Sequence, residues 1–205
     1  GNVSLTNSGT VNAASGTLSL QGGGTFTAAS TLTAASGGDL DFNGGTFDLP
    51  AGSEVVGASG STFSFSGADV TIEGSYATAG STTVSNGEVD FNSSTTLPTL
   101  IQSGGILGGS ATVTVTGATT WSGGTQSGAG KTVAKGGLTI GSATSTSEET
   151  LNGRELDNFG AATLANFYSN ANGLRLASAA TFANEAGASF SFISDAAIYD
   201  AGGGG

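Results

Sequence analysis

The residues best suited to chemistry are paired acids. Asp39 and Asp41 lie two apart in Gly38-Asp-Leu-Asp-Phe42, and on an extended strand residues i and i+2 share a face roughly 7 Å apart. That separation falls in the range of the two carboxyl groups of an inverting glycosidase. Glu88 and Asp90 repeat the spacing in Glu88-Val-Asp-Phe91 and are expected at the equivalent places two coils further on. Neither pair has a companion to orient or neutralise an acidic sugar: the chain contains no His, and no Lys or Arg precedes Lys131. The acids therefore read as solvent-facing groups that confer solubility, no catalytic residue is assigned, and the chain is not expected to be an enzyme. Gly37-Gly-Asp-Leu-Asp-Phe-Asn-Gly-Gly45 has the Gly/Asp composition of calcium-binding nonapeptide repeats, which gather carboxylates and carbonyls around a hard cation. Asp39 and Asp41 are thus the candidate Ca2+ ligands, although the motif does not recur in tandem with its aspartates kept, and no other cofactor is expected. Trp121, Tyr76, Tyr168 and Tyr199 would stack on sugars if exposed in a row. The simpler reading puts Trp121 in a core position and the tyrosines at coil caps or junctions. Thr25/Thr27 and Thr112/Thr114/Thr116 resemble the threonine arrays of ice-binding solenoids, but they do not recur at one coil position, and Thr is a good outward strand residue.

The elements that carry these groups are very short. The apolar-x-apolar triplets Leu18-Ser-Leu20, Leu40-Asp-Phe42, Phe63-Ser-Phe65, Val89-Asp-Phe91, Val113-Thr-Val115 and Leu138-Thr-Ile140 follow one another at a period near two dozen residues. Between them come second segments such as Phe47-Asp-Leu49, Val70-Thr-Ile72, Leu97 to Leu100 and Trp121, and third segments such as Val55-Val56, Val84 and Ile106-Leu107. Three short strands joined by Gly/Ser/Asn/Ala corners make one turn of a parallel β-helix. The fold class is therefore all-β, a parallel β-helix with three-strand coils of about 22–26 residues, roughly nine of them.

Side-chain alternation then fixes the core. Leu40, Phe42, Phe47, Leu49, Phe63, Phe65, Val70, Ile72, Val89, Phe91, Val113, Val115, Leu138 and Ile140 are expected to point inward. Asp41, Asp48, Ser64, Thr71, Asp90, Thr114 and Thr139 are expected to point outward. Helices are excluded by the abundance of Gly, Ser and Thr and by the lack of a 3.6-residue spacing. A β-sandwich competes on strand number, but its strands are usually longer than triplets.

The chain divides into regular coils over 1–140, less regular coils with a charged loop over 141–170, and terminal coils with a Gly-rich tail over 171–205. The middle part holds the charged run Ser147-Glu-Glu-Thr-Leu-Asn-Gly-Arg-Glu-Leu-Asp-Asn-Phe159. Leu156-Asp-Asn158, Leu164-Ala-Asn166 and Phe182-Ala-Asn184 share a Leu/Phe-x-Asn pattern, in which Asn after a strand can hydrogen-bond its own turn.

Composition excludes several function classes. With a net charge of −11 and eight acids but no base before Lys131, the chain cannot release counterions from a phosphate backbone, so nucleic acid is not an expected partner. Anionic membrane surfaces are disfavoured likewise, and no apolar run approaches the ~18 residues of a membrane-spanning helix. Without cysteine there is no disulfide to assign a compartment. The 37 glycines punctuate corners, and the chain reads as a piece of something larger.

The run Thr120-Trp-Ser-Gly-Gly-Thr-Gln-Ser-Gly-Ala-Gly130, with Leu138-Thr-Ile140, Leu151-Asn-Gly-Arg-Glu-Leu-Asp-Asn158 and Ala180-Thr-Phe-Ala-Asn-Glu-Ala-Gly-Ala-Ser-Phe190, resembles repeat regions of giant secreted bacterial surface proteins. Autotransporter passengers and filamentous adhesins have the same look. The resemblance covers residues 113–192 at motif level and the whole chain at pattern level. It implies a right-handed parallel β-helix, extracellular or at the cell surface, acting as a stalk, adhesin segment or self-assembling fibre. Its expected partners are itself or neighbouring modules end to end. The alternative is a carbohydrate-binding or carbohydrate-cleaving β-helix module.

Overall fold

The computed structural model describes residues 3–142, 147–166 and 173–200. Tyr168 and the Gly-rich tail from 201 lie outside the described residues. Among the described residues, twenty-eight strands of three to six residues follow one another. Each strand pairs in parallel with the third before and the third after it, so the chain winds as a β-solenoid with three strands per coil. Its three faces are continuous parallel sheets. Face A has ten strands, from Leu5–Asn7 to Ala197–Asp200; face B has nine, from Thr10–Ala13 to Thr181–Asn184; face C has nine, from Gly16–Leu20 to Ser189–Phe192.

Such short strands would be marginal as hairpins. Here every strand outside the first and last described coils has a neighbour on both sides, and alternate side chains enter a common interior. All the residues expected inward are buried, from Leu40, Phe42 and Phe47 at 0% exposure to Leu138 at 2%. The aromatic members stack from coil to coil. Phe42 and Phe65 lie parallel with ring centroids 5.2 Å apart, and Phe42 meets Phe47 edge-on at 5.1 Å. Fully burying one such ring stabilises by about 1.5–3 kcal/mol, so the column is the main source of order. Glycine makes the corners possible: at Gly45, φ is +84° and a Cβ would lie 2.3 Å from the Gly23 nitrogen of the preceding coil.

The coil register departs from the expected constant period. On face C the ladder partners run Leu18, Leu40, Phe63, Thr82, Leu100, Thr119, Leu138, Ala162 and Phe190. The coils therefore measure 22 and 23 residues at first, 18 or 19 through the middle, and 24 and 28 at the end. Val89 belongs to face A and Val113 to face B, so these triplets are not equivalents of Phe63. Glu88 and Asp90 consequently do not sit above Asp39 and Asp41 but on a different face. Because every face buries the same alternation, drifting from one face to the next left inward and outward residues correctly sorted.

Three local expectations also change. Leu97 and Leu100 fall on separate strands, Thr95–Leu97 of face B and Thr99–Gln102 of face C, parted by Pro98. Pro98 has no N–H to give a ladder, which makes a corner its natural place. Tyr76 is not at a cap or junction but inside, 5% exposed, between Phe63 and Phe91, with its hydroxyl 2.8 Å from Thr82 Oγ1. The charged run holds two coil strands, Glu149–Asn152 and Glu155–Asn158. Trp121 is in the core as expected, at 0% exposure.

Candidate functional site

Asp39 and Asp41 project from the face-C strand Gly38–Phe42 into a lattice of short polar side chains. Asp41 accepts hydrogen bonds from Ser19 Oγ at 3.2 Å, Asn43 Nδ2 at 3.3 Å and Ser66 Oγ. Ser64 Oγ donates to Asp39 at 2.9 Å and receives one from Thr83 Oγ1 at 3.1 Å. Ser19 belongs to the coil before and Ser64 and Ser66 to the coil after, so the acids join coils. This lattice corrects the expectation that Asp41 is solvent-facing: it is only 9% exposed. Burial raises the Asp39 carboxyl above its ordinary range, with the Ser64 hydrogen bond opposing and the neighbouring Asp41 charge adding to the rise. Among the described residues, no three or more acidic, His or Cys side chains group closely enough to hold a metal ion.

The second acid set lies on the outer side of face A. There Asp69 pairs directly with Glu88, and Thr71 stands between Asp48 and Asp90. Burial raises Glu88, and the charges of Asp90 and Asp69 push it further. Asp90 is raised by burial against the pull of Arg154. Stacking like charges at a coil spacing of ~4.8 Å is unfavourable, so this row costs stability rather than adding it.

Among the described residues a groove of about 410 Å³ runs along the corner between faces A and B. Four successive coils line it, through Ser110 and Thr112, Gly130 and Lys131, Arg154 and Glu155, and Thr181. Lys131 Nζ lies 3.0 Å from Glu155 and 2.9 Å from Asp157. Both carboxylates hold the ammonium above its usual pKa. Beneath it runs Arg154, 1% exposed. Its Nε donates to Thr132 Oγ1 at 3.0 Å, Nη2 to the Lys131 carbonyl at 3.2 Å, and Nη1 to the carbonyls of Ser127 at 3.0 Å and Gly109 at 3.2 Å. Burial lowers its pKa to about 10, with Asp90 pulling the other way.

The guanidinium passes through the corner because Gly130 has no side chain: a Cβ there would lie 2.8 Å from Arg154 Nη1. Ser178 and Ala179, at the same corner one coil on, take positive φ of 54° and 58°, an uncommon conformation for residues with a Cβ. Chemically, the groove offers hydroxyls and a neutralised ion-pair cluster to a polar chain laid along the stack.

Sequence reasoning missed this corner. Arg154 sits between strands, where alternation says nothing. Glu149 was missed differently: it is fully buried and faces inward. That was readable, since Leu151, two positions later on the strand, also points inward. Tyr199 is an outer residue whose hydroxyl donates to Glu148 at 2.9 Å. Asn158 fits expectation, with Nδ2 bonded to the Gly160 carbonyl at 3.1 Å and Oδ1 accepting the Gly160 N–H. Comparison with known proteins finds no matching family model, no similar curated protein and no similar solved structure.

Proposed function

We propose that the chain is a structural solenoid working outside the cell or at its surface, as a stalk, adhesin segment or fibre subunit stacked end to end on itself or on neighbouring modules. The observation that carries this reading is the incomplete cover of the interior column at the outermost described coils. Val11, Leu18 and Leu20 are only partly buried where their ladder neighbours Leu32, Leu40 and Phe42 are at 0–1%. At the other extreme Phe192 is 52% exposed and Ile198 37%. Phe190-Ser-Phe192 and Leu18-Ser-Leu20 have the same inward-outward alternation on the same face, so one fits as the next coil upon the other. Open parallel edges of this kind invite a further strand.

Sedimentation and negative-stain electron microscopy across a concentration series, with and without a calcium chelator, test the proposal. The expected result is rods several times longer than the ~43 Å that nine coil steps span. A single monomeric species, unchanged by concentration, would overturn it. Loss of the rods on chelation would make Asp39 and Asp41 a metal site. The corner groove favours a second reading, binding of a polar polysaccharide along Lys131, Glu155 and Thr181, which a glycan-binding screen against a Glu155→Ala variant would address.

A further inference from the structure

The interior is two apolar columns rather than one. The first runs from Ala13 to Val115 and the second from Trp121 to Leu174. At their seam the inward positions hold Gln102, Thr119, Gln126, Thr132 and Glu149, each at 0–1% exposure. Part of this layer is satisfied internally. Thr132 Oγ1 donates to Gln126 Oε1 at 2.8 Å, and Gln102 Nε2 donates to the Thr125 carbonyl at 3.0 Å. The rest is not. Gln102 Oε1, Thr119 Oγ1, both Glu149 carboxyl oxygens, the Trp121 indole N–H and Gln126 Nε2 are buried without a partner.

The register brings most of these groups to one corner. Gln102 and Trp121 are ladder partners on face C. Glu149 is the ladder partner of Gly124, two residues before Gln126 on face A. Thr125, whose carbonyl receives the Gln102 amide, lies between Gly124 and Gln126. The unpartnered set thus mixes acceptors with N–H donors on adjacent coils across the corner from face C to face A.

A buried polar group without a partner is as costly as a lost hydrogen bond or more. A cation would serve the carboxyl and amide oxygens but oppose the two N–H donors, and an anion would do the reverse. Water both donates and accepts, and commonly fills this role inside proteins. We propose that the seam is an interior hydration site, in which ordered water bridges Gln102, Trp121, Gln126 and a Glu149 carboxyl held in its protonated form.

The surrounding charges agree with a neutral acid. The inward residues that the face-A register sets beside Glu149 carry no ionisable group: Leu174, its ladder partner, and the ladder pair Leu151 and Gln126. Arg154, linked to Gln126 through Thr132, spends its donors on Thr132 and backbone carbonyls. Glu148, the residue before Glu149, is held on the outer side by Arg175 and Tyr199. Burial pushes the Glu149 carboxyl up to about 8, the nearby N–H dipole of its own backbone opposing and the Glu148 charge adding to the rise.

Trp121 is the only tryptophan in the chain, so its indole N–H reports on the site without ambiguity. In tryptophan-labelled protein at pH 6, nuclear magnetic resonance is expected to show a direct dipolar cross-peak between that N–H and long-lived water. The indole resonance is then expected to shift with a midpoint near pH 8. Glu149→Gln, which keeps the shape and the hydrogen-bonding capacity, should retain the water cross-peak and lose the titration. Two results would overturn the proposal: a folded wild-type protein whose indole N–H shows no water contact at pH 6, or a wild-type titration that persists unchanged in Glu149→Gln.

Discussion

At the scale of single residues, Arg154 shows how a solenoid corner can be fastened without a disulfide. Its planar fork reaches carbonyls of two preceding coils, at Gly109 in one and at Ser127 and Lys131 in the next. Lysine has one compact ammonium and cannot span these acceptors. Arg154→Lys is therefore expected to destabilise nearly as much as Arg154→Ala, by about 2–4 kcal/mol, since several charge-assisted bonds are lost and their carbonyls stay buried. Urea midpoints at constant m-value would measure this. An Arg154→Lys variant as stable as the parent would mean that positive charge alone suffices. Sequence reading could not find this residue, because corner side chains obey no alternation. Glu149 and Gln102 were within its reach: each stands two positions from an apolar inward neighbour, Leu151 or Leu100, on one strand. What hid them was their polarity, which reads as exposure when type is weighed above parity.

At the scale of strands and coils, parity was legible and register was not. Alternation depends only on neighbours in sequence, so Phe63, Val89 and Val113 could be placed inward without knowing their faces. Register depends on corner lengths, and a corner that drops a few small residues leaves no local mark in a chain where Gly and Ser are everywhere. The stretch from Phe63 to Leu138 consequently holds four coils where an even two-dozen period counts three. Excision separates the two counts. Ser81 and Thr99 are ladder partners 18 residues apart, so deleting residues 81–98 removes one coil and lets Leu100 take the place of Thr82 upon Phe63. That variant is expected to keep its β circular dichroism and cooperative unfolding. It should lose roughly 1–2 kcal/mol for the Tyr76 hydroxyl, whose partner Thr82 is removed, in addition to the lost coil. Deleting residues 81–104, a two-dozen-residue repeat, should abolish the fold, because face-A residues would meet face C. If both deletions folded equally well, the ladder described here would not govern stability.

At the scale of the whole molecule, acid and end-on stacking are coupled through charge. Asp39, Glu88, Asp90 and Glu149 all have pKa values raised on folding, with burial the largest cause in each. A group raised on folding binds its proton more tightly in the native state, so its stabilising contribution is present at low pH and is lost as pH rises through the folded pKa. For Glu149 the window runs from the ordinary 4.5 to about 8, at no more than ~1.4 kcal/mol per pH unit for one proton. Urea midpoints are therefore expected to rise as pH falls from 8 to 5, and Glu149→Gln should flatten much of that slope. The same excess of acids opposes association, since a net charge of −11 makes copies repel at long range. Screening shortens that repulsion from ~30 Å at 0.01 M salt to ~8 Å at 0.15 M, while the proposed apolar contact of Phe192 and Ile198 with a second copy would not be weakened. End-on assembly should accordingly strengthen with salt over this range, unlike an interface held by ion pairs. Phe192→Asp puts a charge where the next coil must seat and should hold the protein as single rods at every salt concentration, with its circular dichroism unchanged. Should Phe192→Asp assemble like the parent in sedimentation, the contact does not run through this end of the column, and the groove beside Lys131 becomes the surface to pursue.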